Sequence, residues 1–184
     1  MAGITLQDGT GKGYRAKITK RGALLVRSII TPIAGFFATE GETYYCSTDL
    51  VSYTTTGTPL LLAYLRNTRE VPFHISRILV SSVAQARVKL IKSPISIANG
   101  IDVTPVNANF DSGKEFVGTF SRGQDTGTVA GGTIFASLLS LGGPTMFPVE
   151  EAIILGQGKS LAITAQVPVA TEVNATIVGH YQDS

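Results

Sequence analysis

The chain has 184 residues and a net charge of +2, with 43% hydrophobic and only 15% charged residues. This allows one domain with a sizeable core, alone or with an arm, and is too weakly basic to argue for nucleic acid as a partner. Cys46 is the single cysteine, which excludes a disulfide framework and a cysteine metal site, and no apolar run approaches the roughly 18 residues of a membrane helix.

The opening is polar, without the apolar core and cleavage site of a secretory signal, so the expectation is a protein made and used without export. Residues 8–26 read DGTGKGYRAKITKRGALLV. Gly11-Lys12-Gly13-Tyr14-Arg15-Ala16 fits the letters of a dinucleotide fingerprint, which works only between a strand and a helix N-terminus. Here period-two alternation follows through Tyr14, Ala16 and Ile18, the mark of a half-buried strand. The spacing therefore predicts a glycine turn feeding a strand, with Arg15 and Lys17 on its outer side. Lys12, Arg15, Lys17, Lys20, Arg21 and Arg27 stand against one acid, Asp8, in this stretch. Without interleaved aromatics or a recognition helix, such a basic arm suits an acidic protein surface.

Short strand patterns follow. Residues 23–29 are apolar and β-branched, and residues 43–47 and 50–56 carry the Tyr, Val and Thr that suit a pleated surface. Residues 60–65 are continuously apolar, a strand buried on both faces, ending at a turn over Arg66-Asn67-Thr68. Strands are predicted at 72–82 and at 86–92, the latter with Val88 and Leu90 on one face and Arg87, Lys89 and Ile91 on the other. Residues 93–115 carry turn chemistry and predict a long loop with at most a short strand. A strand at 115–121, a glycine-rich loop at 123–132 and a strand at 133–141 come next, the last broken by Gly142-Gly143-Pro144. Residues 152–155 and 160–166 predict a hairpin about Gly156-Gln157-Gly158, and a strand at 172–181 closes the chain. Nine or ten such elements after residue 40, with no convincing amphipathic helix, predict an all-β fold: an antiparallel β-sandwich, jelly-roll-like. The expected organisation is an extended N-terminal arm with a hairpin over residues 1–40 and the sandwich over 41–184.

No catalytic constellation stands out. There is no G-x-S-x-G elbow, and Cys46 lies in a strand context that suits packing. Glu150 and Glu151 would point to opposite faces of a strand and cannot form a glycosidase pair. Asp111 and Asp125 fall in turns, where Asp bonds its own backbone, and Asp102, Asp111 and Asp125 lack a calcium-loop spacing. His74 and His180 have no ligand spacing. The expectation is a non-enzyme with no cofactor and no metal.

Taken in order, DGTGKGYRAKITKRGALLV, PLLLAYLRNTREVPFHISRILV, VKLIKSP, DVTPVNANFDSGKEF, GGTIF, FPVEEAIILGQGKSLAITA and VNATIVGHYQ resemble virion structural proteins of tailed bacteriophages, in particular the small β-sandwich proteins that decorate or cement the capsid. The resemblance extends over most of the chain. It implies a homotrimer on the capsid surface at three-fold or quasi-three-fold positions, made in the host bacterial cytoplasm, with the major capsid protein as partner. Arg15, Lys17, Lys20 and Arg21 are the candidate capsid contacts, the alternative being the solvated face of a strand. A second functional expectation is a tail-fibre, baseplate or receptor-binding module using loops 93–115 and 123–132 on host glycans. A third is a hydrolase working through Glu150, Glu151 or Asp111.

Overall fold

The computed structural model describes residues 5–7, 13–15, 40–147, 149 and 152–182, and holds no helix among them. Two compact units divide the chain, residues Met1–Pro32 and Ile33–Ser184. In the first, β1 (Thr5–Gln7) pairs antiparallel with β2 (Gly13–Arg15), Leu6 opposite Tyr14. Gly13, the last glycine of the fingerprint-like stretch, thus opens a strand and not a helix, which removes the helix N-terminus a bound pyrophosphate requires.

The second unit is a β-sandwich. Its elements are β3 (Thr43–Ser47), β4 (Val51–Tyr53), β5 (Leu60–Asn67), β6 (Phe73–Ser82), β7 (Ala86–Lys92), β8 (Ser96–Ala98), β9 (Ile101–Asp102), β10 (Val106–Asn107), β11 (Gly118–Arg122), β12 (Thr128–Ala130), β13 (Thr133–Ser140), β14 (Gly143–Phe147), β15 (Ile153–Leu155), β16 (Ser160–Gln166) and β17 (Thr171–Tyr181). One sheet runs β10-β3-β17-β6-β14, with β4 following β3 along β17 and β15 following β14 along β6. The other runs β13-β7-β16-β5-β11-β9. Every pairing is antiparallel, and the long strands nest: β3 and β4 with β17, β5 with β16, β6 with β14 and β15, β7 with β13. The chain is therefore one long folded hairpin whose arms alternate between two sheets, and residues 93–132 are inserted at its innermost bend.

The alternation explains why these residues make this core. On β6, Phe73, Ile75, Ile78 and Val80 are fully buried, while Arg77 is exposed. On β17, Val173, Ala175 and Ile177 face the same interior. A β-bulge opposite Val178 and Gly179 puts one extra residue on β6 between Ile75 and Arg77, so that Phe73 and Ile75 point inward like Ile78 and Val80, while Tyr181 keeps the alternation of β17. Gly179 is required there, because a Cβ would meet the Phe73 ring and the His74 carbonyl. Each fully buried Leu, Ile or Phe contributes about 1.5–3 kcal/mol of transfer free energy.

The continuous apolar run at residues 60–65 is buried on both faces, as its composition implies. Leu62 and Leu65 enter the core, while Leu61 joins Ile91 and Ala162 in a second cluster beneath Ile97 and Val129. Ile97 and Val129 belong to the β8–β12 ribbon, so the segments predicted as loops at 93–115 and 123–132 are tied down. The ribbon lies on the outer face of one sheet, β10 extends the other sheet, and β9 and β11 extend the first. The apolar residues of 93–132 are too widely spaced for a strand signal, and their pairing partners are distant in sequence.

Two further expectations are corrected, and one holds. Residues 152–155 and 160–166 do not form a hairpin: β15 pairs with β6 and β16 with β5 and β7, so Gly156-Gln157-Gly158 turns a corner from one sheet to the other. The strand predicted at 133–141 does break before these glycines, β13 ending at Ser140, and Gly142 and Gly143, with positive φ of 102° and 85°, make the sharp corner into β14. Asn67 is the last residue of β5 and is fully buried, not part of an exposed turn.

Candidate functional site

Among the described residues, several groups with chemical potential are held by the fold. Cys46 is fully buried on β3, and burial pushes its thiol pKa well above the ordinary range. Asp125, expected to bond its own turn, instead accepts hydrogen bonds from the backbone N–H groups of Thr54 (2.7 Å) and Thr55 (2.8 Å) and from the Thr54 hydroxyl. The Thr54 hydroxyl first, then these amides, hold its carboxyl below the usual range. It pins residues 123–127 to the segment after β4. Asp102 accepts the Ser121 hydroxyl at 2.7 Å, and Asp111 donates its N–H to Asn109 Oδ1 at 3.1 Å. Among the described residues no three His, Cys, Asp or Glu side chains converge as a metal site. The two histidines, distant in sequence, are brought together: His180 lies opposite His74 across β17 and β6, with stacked rings 5.6 Å apart. Only strand register could reveal that pair. Glu150 and Glu151 lie outside the described residues.

Of the four candidate contacts, Arg15 ends β2 opposite Thr5. Lys17, Lys20 and Arg21 lie outside the described residues, as does the strand predicted at 23–29.

The entry of the chain into the sandwich is built with unusual care for a surface position. Glu42, just before β3, accepts hydrogen bonds from Arg69 Nη1 and Lys114 Nζ, both at 2.8 Å. Lys114 also donates to the Glu40 carbonyl at 2.8 Å. Gly41, with φ 70°, turns the backbone so that its carbonyl accepts Asn107 Nδ2 at 2.9 Å. Burial alone would raise the Glu42 pKa, but the hydrogen bonds from Lys114 and Arg69 and their charge outweigh it and hold the carboxyl below its usual value. Beneath this ion cluster sits an aromatic one. The Arg69 guanidinium lies 4.7 Å from the centre of the Tyr181 ring, a cation–π geometry. Tyr181 in turn packs edge-on against Phe73 and Tyr44. The Tyr44 and Tyr181 hydroxyls donate to the Glu115 and Val117 carbonyls at 3.0 and 2.7 Å. The β5–β6 connection, the inserted segment and the last strand thus all clamp residues 40–42. Sequence analysis did not single out this cluster, since it is assembled from separate ordinary charges.

The opposite sides of the sandwich differ. At one, β13 pairs only with β7 among the described residues and ends its sheet, while β14 ends the other. Ile134, Phe135, Leu139 and Met146 are exposed there. A groove of about 510 Å³ runs between the β13 and β15 edges, lined by Phe135, Ile153, Ile154 and Leu161 and rimmed by Lys92 and Lys159. From Thr126 to Val149 the chain carries no charged residue, a signal that composition by segment would have found. The arrangement offers an apolar surface for adhesion. Comparisons with protein-family models, with curated proteins and with solved structures found no match to this chain.

Proposed function

We propose that this chain is a non-enzymatic structural protein of a phage virion, which decorates and cements the capsid through repeated protein–protein contacts. The observation that carries this reading is the strand order. The four nested antiparallel pairs, β3 and β4 with β17, β5 with β16, β6 with β14 and β15, and β7 with β13, support a jelly-roll reading of the sandwich, an architecture that serves viral capsid and lectin domains. A basic segment precedes it in the sequence, and Arg15, Lys17, Lys20 and Arg21 are its contacts with an acidic capsid surface. In a homotrimer three such arms act together, so that modest single contacts give strong overall attachment. The chemistry needed is shape, charge and repetition, which suits a chain whose cysteine is buried and whose acids anchor loops.

The test is co-sedimentation of the purified protein with heads of the phage that encodes it. Deletion of residues 1–35 should abolish binding, and the fourfold change of Arg15, Lys17, Lys20 and Arg21 to Ala should weaken it and flatten its salt dependence. Unchanged binding by both would overturn the role of the arm.

A receptor-binding module is the second reading, favoured by one feature: Phe110 is 86% exposed after β10 and could stack on a sugar ring. Glycan-array binding lost with Phe110→Ala, and labelling at the tail instead of the head, would decide for it.

A further inference from the structure

We propose that the groove between the free edges of β13 and β15 is a docking site for an extended segment of a partner protein, apolar at alternate positions and carrying at least one carboxylate side chain. The site stands apart from the capsid reading: neither the N-terminal arm nor attachment to a phage head enters the argument.

The two walls are sheet edges. β13 ends one sheet and β15, following β14 along β6, ends the other, so among the described residues each has one side without a strand partner. Neither strand carries a charged residue or a proline, the usual devices that blunt a bare edge. A bulge lies between Ile134 and Ala136 on β13, and the residue it releases from the ladder, Phe135, lines the groove and is 46% exposed. Bulges re-aim side chains in this way, and they interrupt regular pairing along their own strand. The straight edge is therefore that of β15, Ile153–Leu155. A partner's main chain adds there by strand pairing, with alternate side chains turned onto Phe135, Ile153 and Leu161. The groove holds about 510 Å³, within the ~300–1,000 Å³ of sites that take specific ligands.

Charge selects the partner. Lys92 and Lys159 both line the groove. Among the described residues the ion pairs are those of Glu42 with Arg69 and Lys114, so neither groove ammonium group meets a carboxylate. Lys92 continues the core-facing row of Val88 and Leu90 on β7 and lies opposite Leu161. An inward lysine can serve to protect an edge, but β7 lies between β13 and β16, and Lys159 leads into β16, which lies between β7 and β5. Both lysines thus belong to interior strands or their ends, where there is no edge to protect. An apolar trough with two unanswered cations complements a chain that brings apolar groups and a carboxylate together, and it disfavours a basic segment.

The experiment is panning of a random heptapeptide library against the full-length protein, followed by fluorescence-anisotropy titration of the selected peptides. The expected consensus alternates aliphatic or aromatic residues and contains Asp or Glu. Lys92→Glu with Lys159→Glu should weaken those peptides about tenfold or more. Panned in its own right, that variant should select Lys or Arg in place of the acid. Phe135→Ala should weaken the peptides too, whereas Val83→Ala, at an exposed position outside the groove, should leave them unchanged. Circular dichroism confirms that each variant stays folded. A wild type that selects no consensus overturns the inference, as do peptides that the charge-reversed protein binds equally well. Dodecanoate bound more tightly than every selected peptide would assign the groove to a free amphiphile. A mass that doubles on concentration, and stays monomeric in the charge-reversed variant, would assign it to a second copy. A consensus that emerges only from Glu150→Gln with Glu151→Gln would mean that the chain's own acids hold the two lysines. Each of these three results also overturns it. None of the readouts involves phage heads, so this site and the proposed function stand or fall separately.

Discussion

Glu42 accepts a hydrogen bond from Arg69 at 2.8 Å while Arg69 also lies over the ring of Tyr181. One guanidinium thus joins the first residue before β3 to the last strand of the fold. An ion pair at a surface is worth little, about 0.2–1 kcal/mol, but this carboxylate is only 15% exposed and has two cationic partners. Its geometry ties residues 40–42 to the β5–β6 connection and to the inserted segment.

The pH dependence of that contact has a definite sign. The folded-state pKa of Glu42 is depressed by Lys114 and Arg69 against the opposing effect of burial, so the unfolded chain binds its proton more tightly. The stabilisation is complete above the unfolded value, about 4.3, and is lost as pH falls through the lower folded value. Glu42→Gln should be less stable than wild type by about 1 kcal/mol at neutral pH, with the difference closing in acid. Urea unfolding of both proteins from neutral pH down to pH 3 checks this; a gap that stays constant over that range refutes the assignment.

Asn67 is the second polar keystone. It is fully buried at the end of β5, donates its amide to the Val71 and Leu155 carbonyls at 3.0 and 2.8 Å, and accepts the Arg69 N–H at 2.9 Å. Removing the side chain strands two buried acceptors and one donor, each worth about 1–3 kcal/mol. Asn67→Ala should cost at least about 2 kcal/mol in urea unfolding, and it should loosen the β5–β6 connection that presents Arg69. A loss below about 0.5 kcal/mol, the scale of an ordinary surface substitution, would show that the amide is replaceable.

These two residues mark what the amino-acid pattern could and could not reveal. The runs at 60–65, 86–92, 160–166 and 172–181 were readable because one periodicity governs both their local structure and their burial. Leu61 could be read as buried and Ile91 as facing away from Val88 and Leu90, but not what covers them, since the β8–β12 ribbon pairs residues far apart in the chain. Asn67 read as a turn because amides favour turns in general, and its buried acceptor, the Leu155 carbonyl, is distant in sequence. The corner at Gly156-Gln157-Gly158 has the composition of a hairpin turn; only sheet membership separates the two. Glu42, Arg69 and Lys114 carry no shared spacing at all. The uncharged stretch from Thr126 to Val149, by contrast, was fully visible, but not that it supplies the edge strands β13 and β14 of the two sheets.

Two glycines give a paired test of backbone packing. A Cβ on Gly123 would run into the Leu61 carbonyl, and the Gly123 N–H donates to the Leu62 carbonyl at 2.8 Å. The obstruction is backbone inside a sheet and cannot rotate away. Gly123→Ala should cost about 2–3 kcal/mol or more, as overpacked sites do. Gly156 has nothing within 4 Å of the same atom, so Gly156→Ala should stay within about 0.5 kcal/mol of wild type. Thermal unfolding ranks the two, and equal effects would contradict the close approach of residue 123 to β5.

Cys46 offers a last and simple measurement. The thiolate is the reactive species, and burial in the core between the sheets both excludes reagents and pushes the thiol pKa far up. In native protein at mildly alkaline pH, a thiol reagent such as iodoacetamide should leave Cys46 unmodified for as long as the fold persists. In concentrated urea, labelling should reach one equivalent per chain. The native labelling rate then reports the population of open molecules, so it should rise in Asn67→Ala and Gly123→Ala and stay unchanged in Gly156→Ala. Rapid stoichiometric modification of the native wild type would mean that β3 is accessible, and with it that the core described by Tyr44, Cys46 and Ile177 is not closed.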